Sequence, residues 1–202
     1  MTRMFAEVRM GRAVDTGVVR DLVQDITESV MRNGSAIISL ARLKTADNYT
    51  YMHSVAVCAL MVSLGRQLNL SAEQISDAGF AGLVHDIGKA MVPMEVLNKP
   101  GRLTDEEFEQ VKSHPRQGWQ LLKDSGVSNA VALDVCLHHH ERMDGAGYPD
   151  RLAGDQISLM ARMGAVCDVY DAITSNRPYK AGWDPAESLS RMAKWTGGHF
   201  DP

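Results

Sequence analysis

The sequence predicts an all-α protein, and three observations support this fold class. Apolar residues recur at intervals of three and four, as they do on one face of an amphipathic helix. Strict alternation of apolar and polar residues, which marks half-buried strands, is scarce. Ser71 and Thr104 each begin a capping-box pattern, with Gln74 and Glu107 three residues later. We therefore expect a helical bundle without a sheet.

The predicted helices follow one another from about residue 19. Val19, Val23, Ile26 and Val30 line one face of the first helix, which ends at Asn33. Further helices are predicted up to about residue 47, over about 49–68, over about 72–86 and over about 105–114, then from residue 115, over about 129–140, over about 159–174 and from residue 185. Together these segments account for most of the chain.

Proline and glycine mark the predicted boundaries between these helices. Pro115 disfavours a helical conformation at His114, so we expect one helix to stop at His114 and the next to begin at the proline. The glycine-rich stretch 144–154 cannot continue a helix and must be a loop. Ser158 and Asp184 are typical caps of the last two helices, and Gly197 marks the end of the final one.

Composition and charge limit the classes of protein and partner. The 202 residues, 45% of them hydrophobic, suffice for one soluble helical domain with its own core. A net charge of −4 argues against a broad basic surface that binds long nucleic acids, but not against a small phosphorylated substrate held by metal ions. No segment is apolar enough to span a membrane, and the start of the sequence does not resemble a signal peptide.

The cysteines indicate a reducing compartment. Cys58, Cys136 and Cys167 are odd in number, far apart and surrounded by apolar residues. Buried, reduced thiols in a cytoplasmic protein are the simplest interpretation. The chain stops at Pro202 without a recognisable end signal, which leaves open that it is a fragment of a longer protein.

Imidazoles and carboxylates occur in five separate predicted elements. These residues are His53, His85 with Asp86, His114, the run His138-His139-His140-Glu141, and Asp168 with Asp171. Taken singly, each of them has an ordinary explanation as a surface or core residue. Helical bundles hold metal ions with ligands of this kind, which project inward from facing helices. A nitrogen and oxygen ligand set without cysteine suits iron, manganese, nickel or zinc, and more than four ligands suffice for two ions.

Two sequence strings resemble a known family. HDIGK at 85–89 and HHERMDGAGYP at 139–149 are similar to the motifs of the HD-GYP cyclic di-GMP phosphodiesterases, a branch of the HD phosphohydrolase superfamily. The resemblance extends over about residues 47–202 and includes DNYTYMHS at 47–54, KPGRL at 99–103, DVYDA at 168–172, RPYK at 177–180 and GHFDP at 198–202. It implies an HD-domain-like helical bundle with a glycine-rich GYP loop near a metal site.

The resemblance implies roles for individual residues. The expected metal ligands are His53, His85, Asp86, His114, His139, His140 and Asp168, with Asp86 bridging two ions. Lys89 is expected beside the scissile phosphate, and Arg177, Lys180 and Tyr148 are expected to bind the substrate. Some family members hold a third ion with a glutamate four residues before the first histidine. Here that residue is Tyr49, a poor ligand near neutral pH, so we expect two ions, with iron or manganese favoured and nickel or zinc as alternatives.

The GYP loop has two interpretations. The resemblance implies that Gly147, Tyr148 and Pro149 flank the site and contact a diguanylate cyclase partner, whereas Gly145 and Gly147 could equally be present only to permit a tight turn. His138 precedes the matching histidine pair and should point away from it, and His199 has no clear role as a ligand.

The expected activity is the hydrolysis of cyclic di-GMP to linear pGpG, and to GMP if a second round follows, by attack of a metal-bridging hydroxide. One alternative is an HD phosphohydrolase that acts on another nucleotide, and the other is a module that senses cyclic di-GMP without hydrolysing it. Residues 1–46 are expected to form a helical lead-in or linker, and residues 47–202 the catalytic domain. The partners expected are cyclic di-GMP and a diguanylate cyclase domain, and a homodimer is compatible with the resemblance.

Overall fold

A computed structural model of the chain describes residues 2–41, 49–176 and 181–202, and it confirms the predicted all-α fold class. No β-strand occurs among these residues. The α-helices are α1 Thr2–Arg9, α2 Thr16–Ala41, α3 Tyr49–Gln67, α4 Ala72–Val84, α5 Met94–Leu97, α6 Asp105–Lys112, α7 His114–Asp124, α8 Ala130–His138, α9 Leu159–Thr174 and α10 Pro185–Ala193. Two 3-10 turns, Ile87–Met91 and Gly154–Gln156, complete the regular structure in the described ranges.

Helix α3 occupies the centre of the bundle. It packs against α2, α4 and α9, while α8 packs against α4, α7 and α9. Val57 and Met61 of α3 and Leu83 of α4 are fully buried in the core that these helices share. Because α3 is apolar on most sides, it is stable only when it is surrounded by other helices. This arrangement gathers α3, α8, α9 and the end of α4 around one interior region.

The predicted helix starts are confirmed at both capping boxes. The Ser71 hydroxyl accepts the Gln74 N–H at 3.2 Å, and the Gln74 side chain accepts the Ser71 N–H at 2.9 Å. Thr104 and Glu107 form the same reciprocal pair, at 3.3 and 2.7 Å. These bonds satisfy amide groups that have no partner inside the helix. The caps predicted at Ser158 and Asp184 are also present.

One predicted boundary is present as a kink, and another differs by two residues. The end predicted for the first helix at Asn33 is a kink inside α2, where Asn33 has non-helical angles of φ −160° and ψ 85°. Helix α6 ends at Lys112, two residues earlier than predicted, and His114 already belongs to α7. The reason is that Pro115 has no N–H to offer the Val111 carbonyl, which accepts from Nδ1 of His114 at 2.7 Å instead.

Helix α1 was not predicted from the sequence. Its eight residues interleave charged and apolar side chains, so the apolar face is only two turns long. Met4 and Val8 are nevertheless buried in the same core as α3 and α4. The N–H of Val14 donates to Oγ of Ser125 at 2.9 Å and ties this segment to the end of α7. The division of the chain at residues 46 and 47 stays a prediction.

Two further properties bear on the sequence analysis. In the part of the chain that the structure describes, no helix has both the length and the apolar character needed to cross a membrane. The three cysteines are buried and form no disulfide, and burial raises the pKa of each thiol.

Candidate metal centre

Two groups of potential ligands share one carboxylate. The first consists of His53, His85 and Asp86, and the second of Asp86, His114, His139 and His140. Within each group the ligand atoms all lie within 4.8 Å of one another. Asp86 is the residue common to both groups, so its position decides whether they form one site.

The two oxygens of Asp86 face different groups. Oδ2 lies 3.4 Å from Nε2 of His53 and 3.3 Å from Nε2 of His85. Oδ1 lies 3.2 Å from Nε2 of His114 and 3.7 Å from Nε2 of His139. A carboxylate placed in this way is suited to bridge two cations, one on each side. This arrangement agrees with the bridging role that the sequence resemblance implies for Asp86.

Asp168 of α9 brings a second carboxylate to the same place. Its Oδ1 lies 2.9 Å from Nε2 of His53, and its Oδ2 lies 3.8 Å from Nδ1 of His140. The structure thus gathers all seven side chains that were predicted as ligands, although they come from distant stretches of sequence. Their action as ligands stays a prediction.

Backbone carbonyls orient three of the histidines. Nδ1 of His85 lies 2.8 Å from the Gly82 carbonyl, and Nδ1 of His114 lies 2.7 Å from the Val111 carbonyl. Nδ1 of His139 lies 3.0 Å from the Val135 carbonyl. Because a carbonyl only accepts hydrogen bonds, each Nδ1 must carry a proton. Each Nε2 then presents its lone pair to the cluster, as a metal-binding imidazole requires.

A buried carboxylate that the sequence analysis did not include among the ligands orients His53. Oδ2 of Asp171 lies 2.6 Å from Nδ1 of His53, and Oδ1 of Asp171 accepts from the Ser175 hydroxyl at 3.3 Å. The spacing of Asp171, three residues after Asp168 on α9, was noted in the sequence but did not reveal which helix it faces. A carboxylate behind a histidine ligand fixes the ring and raises its basicity.

Replacing Asp171 with asparagine is expected to weaken metal binding by about 10- to 100-fold while the fold is unchanged. The amide keeps the shape of the carboxylate but loses the charge that holds His53. Titration with Mn²⁺, after a chelator has removed bound metal from the protein, measures the change in affinity. The matched control is Asp134→Asn, because Asp134 forms a similar pair with His138, at 2.7 Å, outside both ligand groups. Equal affinities in the two variants would contradict the role assigned to Asp171.

The electrostatics of the cluster fit divalent cations. Burial disfavours the charged form of Asp86 and Asp168. Neighbouring groups have the larger effect and hold the pKa of each carboxyl well below its usual range. These groups are Lys89 and His85 beside Asp86, and His53 beside Asp168. Burial likewise opposes the charge on His53, yet Asp168, Asp171 and Asp86 raise its pKa well above its usual value. The carboxyls at the centre are thus favoured in the anionic form that divalent cations bind.

Two buried atoms at the centre also support a metal site. Nε2 of His85 and Oδ1 of Asp86 have no hydrogen-bond partner among the described residues, although both are buried. Leaving such atoms unsatisfied is costly in a purely structural network. A cation that accepts both lone pairs removes this cost, so the donor set fits a metal centre.

Lys89 lies at the edge of the cluster. Its ammonium is 2.6 Å from Oδ2 of Asp86, and its side chain is 23% exposed. It is carried by the 3-10 turn Ile87–Met91, which directly follows Asp86. Lys89 therefore lies beside the cluster and is partly exposed, and its place beside a scissile phosphate stays a prediction.

The glycine-rich loop is held against the cluster by Glu141. This buried carboxylate accepts the N–H groups of Asp150 and Leu152, at 2.7 and 3.1 Å. Gly147 packs so closely that a Cβ would lie 2.5 Å from the Glu141 Cα. Gly147 is thus required for a close approach, whereas Gly145, with φ +72°, serves a turn. The sequence contains Glu141 beside the histidine pair but does not indicate that it is buried.

Tyr148 places its ring over the second ligand group. The ring stacks on His140, with centroids 4.8 Å apart and an angle of 29° between the planes. Its N–H donates to the His140 carbonyl at 3.2 Å, and the following peptide bond to Pro149 is cis. Burial raises the pKa of the Tyr148 hydroxyl, so it stays protonated. The GYP loop therefore forms a wall of the site.

His138 and His199, which were not expected to be ligands, lie outside both ligand groups. His138 contacts Asp134 and Asp150 outside both ligand groups, and Nδ1 of His199 lies 3.3 Å from the Arg142 guanidinium, also outside them. Arg177 and Lys180, predicted to bind substrate, lie outside the described residues.

Residues 18–202 match the HD domain family. This chain belongs to that family. HD domains are metal-dependent hydrolases, and the described part of this one contains a buried histidine and aspartate cluster with donor atoms that suit divalent ions. The match starts within α2, so α1 precedes the part of the chain that it covers.

Relatives support the resemblance to HD-GYP proteins. The chain is 61% identical over 98% of its length to "Cyclic di-GMP phosphodiesterase PA4108" of Pseudomonas aeruginosa and covers 48% of that protein. It is 36% identical over 71% of its length to "3'3'-cGAMP-specific phosphodiesterase 1" of Vibrio cholerae and covers 33% of it. The solved structure of Bd1817, an HDG"Y"P protein from Bdellovibrio bacteriovorus, matches 89% of this chain and 58% of its own, with a TM-score of 0.73 at 21% identity. The HD domain thus spans less than half the length of either enzyme.

Proposed function

We propose that this HD domain is a metal-dependent phosphodiesterase that hydrolyses cyclic di-GMP to pGpG, with GMP as the product of a second round. The observation that carries the hydrolytic part is the placement of Asp86, whose two oxygens face separate histidine groups. The substrate is supported by the 61% identity to a cyclic di-GMP phosphodiesterase.

The cluster would hold two divalent ions. His53, His85 and Asp86 would hold one, Asp86 with His114, His139 and His140 would hold the other, and Asp168 lies beside both groups. When bound, such ions neutralise phosphate oxygens and lower the pKa of water. The nitrogen and oxygen donors favour iron or manganese, with nickel and zinc as alternatives.

Lys89 and Tyr148 would act on the substrate directly. Lys89, held at 2.6 Å from Asp86, would place a positive charge beside the scissile phosphate and supply a proton toward the leaving ribose oxygen. Tyr148 would give the substrate a flat wall above His140 and a hydroxyl that donates hydrogen bonds. Arg177 and Lys180 would bind the phosphates or guanine edges, since guanidinium and ammonium groups suit both.

Other features of the sequence analysis belong to this proposal. Residues 47–202 would form the catalytic domain and residues 1–46 a lead-in. Gly147, Tyr148 and Pro149 would contact a diguanylate cyclase domain, and the chain would act in the cytoplasm, alone or as a homodimer. Tyr148 and Pro149 are partly exposed and so could meet a partner directly, whereas Gly147 is buried against Glu141 and would act by shaping the loop.

A related cyclic dinucleotide, 3'3'-cGAMP, is the second candidate substrate. The observation that favours it is the 36% identity to a 3'3'-cGAMP-specific phosphodiesterase. Both substrates have the same ring of two phosphodiesters, so the metal centre alone does not distinguish them. Any discrimination must come from contacts with the base.

The test is to measure metal content and turnover on one anaerobic preparation. Protein stripped by a chelator and reloaded with Fe²⁺, Mn²⁺, Ni²⁺ or Zn²⁺ is assayed with cyclic di-GMP and 3'3'-cGAMP, and products are separated by chromatography. We expect pGpG from cyclic di-GMP only in loaded samples, with a higher kcat/KM than for 3'3'-cGAMP. Turnover by the stripped protein would refute the metal-dependent mechanism. Preference for 3'3'-cGAMP would support the second candidate.

A further inference from the structure

An arginine of α1 holds the end of the turn that carries Lys89. Nη1 of Arg9 donates to the Val92 carbonyl at 3.2 Å, and Nη2 of Arg9 donates to the Lys89 carbonyl at 3.3 Å. The planar guanidinium can bond two carbonyls at once because its N–H groups are arranged as a fork. Arg9 therefore holds the backbone at Lys89, inside the turn, and at Val92, directly after its last residue.

Support of this kind matters because the turn Ile87–Met91 is of the 3-10 type. Within it, the Lys89 N–H donates to the Asp86 carbonyl at 2.9 Å, and the Val92 N–H donates to the Lys89 carbonyl at 3.2 Å. A 3-10 turn has poorer hydrogen-bond geometry than an α-helix. The turn nevertheless sets the distance between the Lys89 ammonium and Asp86, so a shift of its end moves that ammonium.

Arg9 itself has a firm base. Met4 and Val8 of α1 are buried in the shared core, and α1 packs against the turn Ile87–Met91. The Val14 N–H bond to Ser125 holds the segment after α1. The guanidinium is thus carried by an anchored helix, although α1 lies before the residues that match the HD domain family.

We propose that Arg9 is a positioning residue for Lys89, and that α1 is a functional part of the site. This inference rests on the proposed function, because Lys89 acts there on the scissile phosphate. The hydrogen bonds of Arg9 go to the backbone of Lys89 and Val92 and not to side chains of the ligand groups. Its effect is to keep the Lys89 backbone, and hence its ammonium, in register with Asp86.

The experiment compares Arg9→Ala, Arg9→Lys and the control Arg12→Ala in the metal-loaded protein. Arg12 belongs to the same segment, but its guanidinium contacts Glu7, at 3.4 Å, and not the turn. We expect Arg9→Ala to lower kcat for cyclic di-GMP by about fivefold to tenfold, below the roughly hundredfold cost of a 1 Å misplacement. Arg9→Lys should lower kcat less, since an ammonium still bonds one carbonyl. KM, metal content and melting temperature should stay close to those of the control.

Two measurements separate positioning from a general effect on structure. In the Lys89→Ala background, Arg9→Ala should have no further effect on kcat, because the residue through which it acts is gone. Amide hydrogen exchange should become faster at residues 87–92 in Arg9→Ala and not in Arg12→Ala. An unchanged kcat and exchange rate in Arg9→Ala, or the same loss in both backgrounds, would overturn the inference. A wild-type protein that does not hydrolyse cyclic di-GMP would instead refute the proposed function, and the exchange result would still test the contact.

Discussion

Replacing Asp86 with asparagine is expected to remove bound metal and phosphodiesterase activity together. The two oxygens of Asp86 face separate histidine groups, and a neutral amide cannot replace both of them as anionic ligands. Metal affinity should fall by more than the about 10- to 100-fold decrease expected when a residue that only supports a ligand, such as Asp171, is replaced. We expect kcat/KM to fall by more than about a thousandfold, beyond the cost of losing a single transition-state donor. Metal analysis and a cyclic di-GMP assay on the same sample measure both effects.

Two further variants make this result specific. His114→Ala alters only one of the ligand groups, so we expect it to retain about one ion per chain while Asp86→Asn retains none. Asp21→Asn removes an exposed carboxylate on α2 and should retain both ions and activity. The helical fold should survive in all three, because the core around Val57 and Leu83 does not depend on Asp86. Two ions per chain in Asp86→Asn would refute the assignment of Asp86 as the shared ligand.

The helices could be predicted from the sequence because their signals are local. The capping boxes at Ser71 and Thr104 involve residues only three apart, and the structure forms both. Helix α1 and the turn Ile87–Met91 were missed because each is too short for a clear apolar period. Their conformation depends on contacts with distant residues, which local patterns do not contain.

The predicted ligands came from family resemblance, because spacing along the chain does not reveal which helix faces meet. The roles of Asp171 and Glu141 illustrate this limit. Asp171, on α9, supports His53 although the two residues are 118 positions apart in the sequence. Glu141 holds the backbone of the loop that follows it. In both cases the sequence contains the residue, but only the packing of helices and loop defines its partner.

Close backbone packing around Gly88 also could not be predicted from the sequence. Gly88 lies between Asp86 and Lys89, and a Cβ there would be 2.0 Å from the His114 carbonyl oxygen and 2.5 Å from the Gly118 nitrogen. Both contacts are to backbone atoms, so no side-chain rotation relieves them. The glycine allows the turn to lie directly against the start of α7, which carries His114. The two ligand-bearing segments therefore approach each other at a position where any larger residue would separate them.

Replacing Gly88 with alanine is accordingly expected to impair both stability and catalysis. The methyl group must push the turn away from α7, which we expect to lower the free energy of unfolding by about 2–4 kcal/mol. The same shift separates Asp86 from His114, whose Oδ1 and Nε2 atoms lie 3.2 Å apart in the structure. We therefore expect kcat to fall by about a hundredfold or more. Urea denaturation and steady-state kinetics of the loaded protein measure the two effects.

Gly17→Ala is the matched control for this substitution. A Cβ at position 17, in the exposed first turn of α2, would meet only the Asp15 side chain, at 3.3 Å. Alanine is the better helix former, so the stability of this variant should change by no more than about 1 kcal/mol, and its kcat should not change. If Gly88→Ala matched this control in both measurements, the turn and α7 could not be packed as closely as the structure has them. The approach of Asp86 to His114 would then need another cause.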